Sequence, residues 1–318
     1  MCTKLQRKSG IGSVVVAVVC TLVMVCPAFS RIIYVDDDAP PGGDGSSWDQ
    51  AYRFLQDGLG SAGAGDEIRV AQGVYKPDRS AAKPEGTLDP FRNFQLRQPD
   101  LKLLGGWAGL ALPDPNARDV RTYQTVLSAD LLDDDVIPPK DLARLYDDKA
   151  NPSRKDNTSV LIWIPWVADR VVLDGCTVVG ARYGGCYAEG TGVVVKDCSF
   201  RYNASGVGDA VGAGGLSFSW RGGRATGCSF YRNVSSMAGG GVQGGSVLVD
   251  CEFIENYAST YWEGGAAYLW TEARVERCTF VGNRAGLGGA LSLSGAVSLR
   301  DCEFRENSAS SRGIGVKL

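Results

Sequence analysis

The chain has 318 residues, with 33 Lys and Arg against 36 Asp and Glu, 42 glycines, 10 cysteines and no histidine. This slightly acidic balance offers no basic patch for a nucleic acid. Without histidine there is neither a His-based catalytic triad nor a histidine zinc site.

Residues 1–30 read as a secretory signal. Lys4, Arg7 and Lys8 precede an apolar run over 11–25, and small Ala28 and Ser30 follow at the cleavage-site positions. The chain is therefore expected to be exported, either secreted or held at the outer cell surface. Removing this segment takes three basic residues and no acidic one, so the mature chain is more acidic still.

Residues 31–75 read as an N-terminal cap and first coil. Ile32, Ile33, Tyr34 and Val35 form a strand, and Asp36, Asp37, Asp38 and Asp44 sit in the loop after it. Ser47 and Gln50 have the spacing of a capping box. Trp48, Ala51, Tyr52, Leu55 and Leu59 mark one face of a helix over 47–59, ending near Gly58 or Gly60. Such a helix covers the open edge of the first coil, which spans 65–75. This order of cap helix, Gly65-Asp66, alternating strand and Gly73-x-Tyr75 resembles the start of pectin-lyase-like β-helices.

Residues 76–158 are irregular. Phe94 to Leu96 with Leu101 to Trp107 suggest a second coil, and Val126 to Ser128 a third. The proline-rich or polar stretches 77–90 and 131–156 loop out.

Residues 159–318 carry regular coils. Cys-x-Phe-x-x-Asn recurs five times: Cys198, Phe200, Asn203; Cys228, Phe230, Asn233; Cys251, Phe253, Asn256; Cys278, Phe280, Asn283; and Cys302, Phe304, Asn307. A repeat this short cannot bury its own apolar face and reads as one turn of a solenoid. Cys and Phe share one face of a strand, while apolar residues three and five before each Cys require a bend ahead of it. A Gly-rich return carries a third alternating run. Three short strands per coil define an all-β fold, a right-handed parallel β-helix solenoid with an N-terminal capping helix. Its Cys, Phe and Asn positions stack as interior ladders, with the Asn residues tolerating left-handed corners. The spacing also fits a leucine-rich-repeat-like binding module, whose return carries a helix.

The Phe-x-x-Asn units, with Gly264-Gly265-Ala266 and Gly288-Gly289-Ala290, resemble the repeat of the chlamydial polymorphic outer-membrane proteins. That resemblance implies an exported, surface-displayed right-handed β-helix. Relatives of this kind commonly end in an outer-membrane barrel, which residues up to Leu318 do not include.

The ladder cysteines read as small stacked hydrophobes rather than disulfides, with Cys186 off the ladder. No cofactor is expected; Asp36, Asp38 and Asp44 with Asp37, or Asp133, Asp134 and Asp135, read first as solvated acidic turns and are the candidates should the chain take Ca²⁺. Tyr261, Trp262 and Trp270, among Tyr257 and Tyr268, are candidate sugar-stacking rings. The expected function is a non-catalytic β-helix for adhesion, glycan binding or surface structure, and the alternative is a polysaccharide lyase. Expected partners are a polysaccharide or cell-surface ligand, and a second copy of the chain meeting the open C-terminal coil end to end.

Overall fold

The computed structural model describes residues 30–137, 142, 151–206, 212–259, 261–270, 272–313 and 315–317. The signal reading of 1–30 thus lies almost wholly outside the described residues. Parallel strands stack along one axis into four sheets. A nine-stranded leading sheet runs from Ile32–Val35 and Glu67–Ala71 to Val297–Arg300. An eight-stranded sheet runs from Gly73–Tyr75 to Glu303–Arg305 and carries the Phe ladder. A second eight-stranded sheet, here the return sheet, runs from Phe94–Gln95 through Ala267–Trp270 to Val316–Lys317. The chain visits these sheets in that order in each coil, forming a right-handed parallel β-helix. Among the described residues the one α-helix is Leu55–Ser61, so no repeat carries a helix and the leucine-rich reading falls.

The fourth sheet was not expected. Its strands, Ala204–Ser205, Val234–Ser235, Tyr257–Ala258, Arg284–Leu287 and Ser308–Arg312, directly follow the ladder asparagines. Each asparagine locks the chain into register, so the next residues can pair before the corner. Asn233 shows the pattern. Its Oδ1 accepts from Asn203 N and Nδ2 at 3.2 and 3.0 Å, and its Nδ2 donates to Phe200 O and Asn256 Oδ1 at 2.9 and 3.0 Å. The left-handed residue is not the asparagine but the one before it: Tyr202, Arg232, Glu255, Gly282 and Glu306 all have φ between 52° and 65°. The bend before each Cys is likewise a single left-handed residue, at Asp197, Gly227, Asp250, Arg277 and Asp301.

Inside, the Phe rings stack nearly parallel, with centroids 5.1, 4.7, 4.9 and 4.8 Å apart from Phe200 to Phe304. That is the coil repeat of a β-sheet. Val178, Leu127 and Tyr75 continue the same column toward the N-terminus. The seven described cysteines are free. The ladder thiols donate to carbonyls two residues back, as Cys251 Sγ does to Val249 O at 3.3 Å. Cys186 is a core residue of the return sheet, aligned between Ile162 and Leu216.

The N-terminal region differs from its sequence reading in three ways. The helix over 47–59 is two pieces, a 3-10 turn Trp48–Gln50 and the helix Leu55–Ser61, which passes through Gly58 and Gly60. Tyr52 lies between them and pairs with edge strand Ile32–Val35, donating to Tyr34 O at 2.9 Å. Phe94–Gln95 closes the same coil as Glu67–Ala71, and Thr125–Ser128 belongs with Lys102–Trp107, so one coil fewer separates them than expected. A third loop, 108–124, folds back on the leading sheet. Its Arg118 pairs with Asp174 at 2.7 Å and lies over the Trp107 ring.

Candidate functional site

Side chains alternate along the return sheet, so every second residue faces out. Backbone register sets those outward positions in one row along the axis: Gln95, Trp163, Tyr187, Ser217, Gln243, Tyr268 and Ser292. Two part-exposed aromatic patches result. In the first, Trp163 neighbours Tyr187, and Trp163 Nε1 donates to Glu189 Oε2 at 2.8 Å. Burial, then the Glu189 charge, raises the Tyr187 phenol above its usual range. In the second, Tyr268 and Trp270 share the outward face, with ring centroids 5.5 Å apart and tilted by 59°. The corner leading into this strand carries Tyr261 and Trp262, exposed by 89% and 43%. Glu263 from the same corner reaches over the sheet, accepting from Ser292 Oγ at 2.5 Å.

The fold thus brings Trp270 together with Tyr268 and sets Tyr261 and Trp262 on the adjoining corner. Sequence reading missed Trp163 and Tyr187. Both precede the first Cys-x-Phe-x-x-Asn unit, and only the backbone register of the return sheet aligns them with the later rings. On the opposite corner of the return sheet, Trp166 and Trp220 are 63% and 78% exposed, and the Arg221 guanidinium lies 5.0 Å from the Trp220 ring centre.

The acidic candidates behave differently. Asp36, Asp37 and Asp38 do converge, with carboxylate oxygens within 4.8 Å of one another. Asp44 is not among them; it closes its own turn, accepting from Ser46 N at 3.0 Å. Asp36 is buried and takes the amides of Leu110 and Asp38 at 2.6 and 3.0 Å. Asp37 takes the Val74 amide at 3.1 Å, and a Cβ on Gly73 would strike its carboxylate at 2.2 Å. Burial pushes Asp37 up to about 6, with Asp38 and Asp36 adding repulsion. Of the second set, Asp133 pairs with Lys76 and Asp135 with Arg154, while Asp134 joins Asp130 and Asp156 within the same 4.8 Å. Both clusters are oxygen-only sets of the kind Ca²⁺ takes, yet in each of them carboxylate oxygens, both of Asp36 and both of Asp130 among them, already serve backbone amides that stitch loops together. A cleft of about 880 Å³ beside Asp37 lies between the cap and the 76–85 loop, lined also by Tyr52, Arg53, Gln56, Lys76 and Arg79.

The family described as right handed beta helix region matches residues 166–309. Two solved structures are similar in outline. The pectate lyase Pel9A is 12% identical at a TM-score of 0.47, covering 85% of this chain and 77% of its own. A rhamnogalacturonan lyase is 11% identical at 0.37, covering 83% of this chain and 73% of its own. No curated protein sequence matches the chain.

Proposed function

We propose that the chain is an exported β-helix protein whose return sheet binds polysaccharide. The observation that carries this is the register row that puts Trp163, Tyr187 and Tyr268 on one outward face, with Trp270 beside the last. Part-exposed rings with a carboxylate alongside suit sugars. The ring stacks on a sugar's apolar face, and Glu189 or Glu263 accepts from its hydroxyls. The signal-like segment 1–30 and the resemblance to surface-displayed repeats support display outside the cell. The reading is tested by affinity electrophoresis of residues 31–318 through gels cast with xylan, glucomannan, polygalacturonate or alginate. At least one polymer should retard the protein, and Tyr268→Ala should relieve that retardation with the circular dichroism unchanged. Migration unaffected by every polymer would overturn the reading.

A further inference from the structure

The two aromatic patches share a sheet but do not touch. Tyr187 aligns with Ser217, Ser217 with Gln243, and Gln243 with Tyr268. Three coil steps of ~4.8 Å set the patches about 14 Å apart along the axis. The stretch between them offers no ring to a ligand. Ser217 is buried, its hydroxyl accepting from Ala213 N at 2.8 Å, and a Cβ on Gly212 would lie 2.4 Å from Gln243 Oε1. Gly212 and Ala213 thus pack against the middle of the row, between the two ring patches.

Resting on the glycan reading above, we infer that the ligand is a long, linear, uncharged polysaccharide running along the solenoid axis and engaging both patches at once. Neither patch is a closed pocket, so a short sugar on one of them has little to hold it. A chain that reaches both gains from linkage, because the second contact forms at the high effective concentration set by the first. The in-line register of the patches makes the axis the direction that joins them. Charge selects the class of chain. Glu189 and Glu263 stand one beside each patch, and a uronate bound there would face like charge. Arg97, bonded to Gln95, lies at the N-terminal end of the row, on the far side of Trp163 from Tyr187.

The experiment measures binding of xylan and glucomannan, of their disaccharides, and of polygalacturonate, by tryptophan fluorescence or calorimetry. The proteins are the parent chain, Trp163→Ala, Tyr268→Ala and the double variant, each checked for an unchanged circular dichroism spectrum. A neutral polymer should bind roughly a hundredfold more tightly than its disaccharide. Each single variant should lose most of that gain, leaving polymer binding near the disaccharide level, and the double variant should bind neither. A polymer bound no more tightly than its disaccharide, or a loss confined to one patch, would overturn the two-patch inference while leaving glycan binding in place. Polygalacturonate outcompeting both neutral polymers would overturn the charge assignment. If none of the three polymers binds, this inference fails, and if alginate does not bind either, the glycan reading fails with it.

Discussion

At the scale of single residues, the interior columns decide stability and the outward row decides chemistry. Phe253 is fully buried between Phe230 and Phe280, whereas neighbouring Glu252 points to solvent. Phe253→Ala should cost about 3–5 kcal/mol, because the narrow core cannot collapse around the cavity. Glu252→Ala should shift the melting temperature little; equal losses would contradict the assigned faces. Two carboxyls set a pH dependence. Burial holds Asp37 and Asp135 at about 6, above their ordinary 3.8, against the pull of Val74 N on the first and Arg154 on the second. The native chain therefore binds protons between those pH values that the unfolded chain does not. Their contribution to stability is fully present below pH 3.8 and is lost as pH rises through about 6. Thermal melts from pH 4 to 7 should show a falling midpoint across this window, and Asp37→Asn should flatten the slope. A midpoint that climbs with pH, with the same slope in Asp37→Asn, would contradict this assignment.

At the scale of elements, regular coils were legible because each repeats the same three inward residues, and repetition survives variable corner lengths. The cap was legible only in part. Trp48, Ala51, Tyr52 and Leu55 have helical spacing, but strand Ile32–Val35 presents an unpaired edge, and pairing Tyr52 to it outweighs continuous helix. The helix that remains packs closely: a Cβ on Gly58 would come within 2.7 Å of Val35 Cγ2. The aromatic row was half legible. Tyr261, Trp262 and Trp270 cluster in sequence, while Trp163 joins the row only through the register of a coil interrupted by long insertions. In the largest of these, 129–161, the described residues are anchored by Arg154. This arginine is 1% exposed, donates to Gly180 O, Ala181 O and Tyr202 O at 2.8 to 3.1 Å, and pairs with Asp135 at 3.3 Å. Removing one partner of a buried pair costs about 3–5 kcal/mol. Arg154→Ala should therefore release the insertion, with faster chymotryptic cleavage within 129–161 and a lower melting temperature. An unchanged cleavage pattern would place the anchor elsewhere.

At the scale of the whole molecule, the two ends of the solenoid differ. At the N-terminal end the edge strand is paired by Tyr52 and its core is covered by the Leu55–Ser61 helix. At the other end Val297–Arg300, Glu303–Arg305, Ser308–Arg312 and Val316–Lys317 are the outermost strands of their sheets. Phe280 is fully buried, while Phe304 and Cys302 at the end of the same columns are part-exposed. A row of unpaired N–H and C=O groups around an exposed aromatic cross-section is a template for strand addition. The Glu303–Arg305 ion pair beside Phe304 is itself solvent-exposed and offers little protection. A polypeptide made as residues 31–318 should therefore associate end to end through this coil. Its light-scattering mass should rise with concentration and persist at high salt, since hydrophobic and backbone contacts are not screened as surface charges are. Phe304→Lys puts a charge on the exposed section and should return the protein to a monomer while the coils N-terminal to it stay folded. A parent chain that stays monomeric across the concentration series would refute the open edge as a contact surface. Association that Phe304→Lys leaves intact would place the contact on another face.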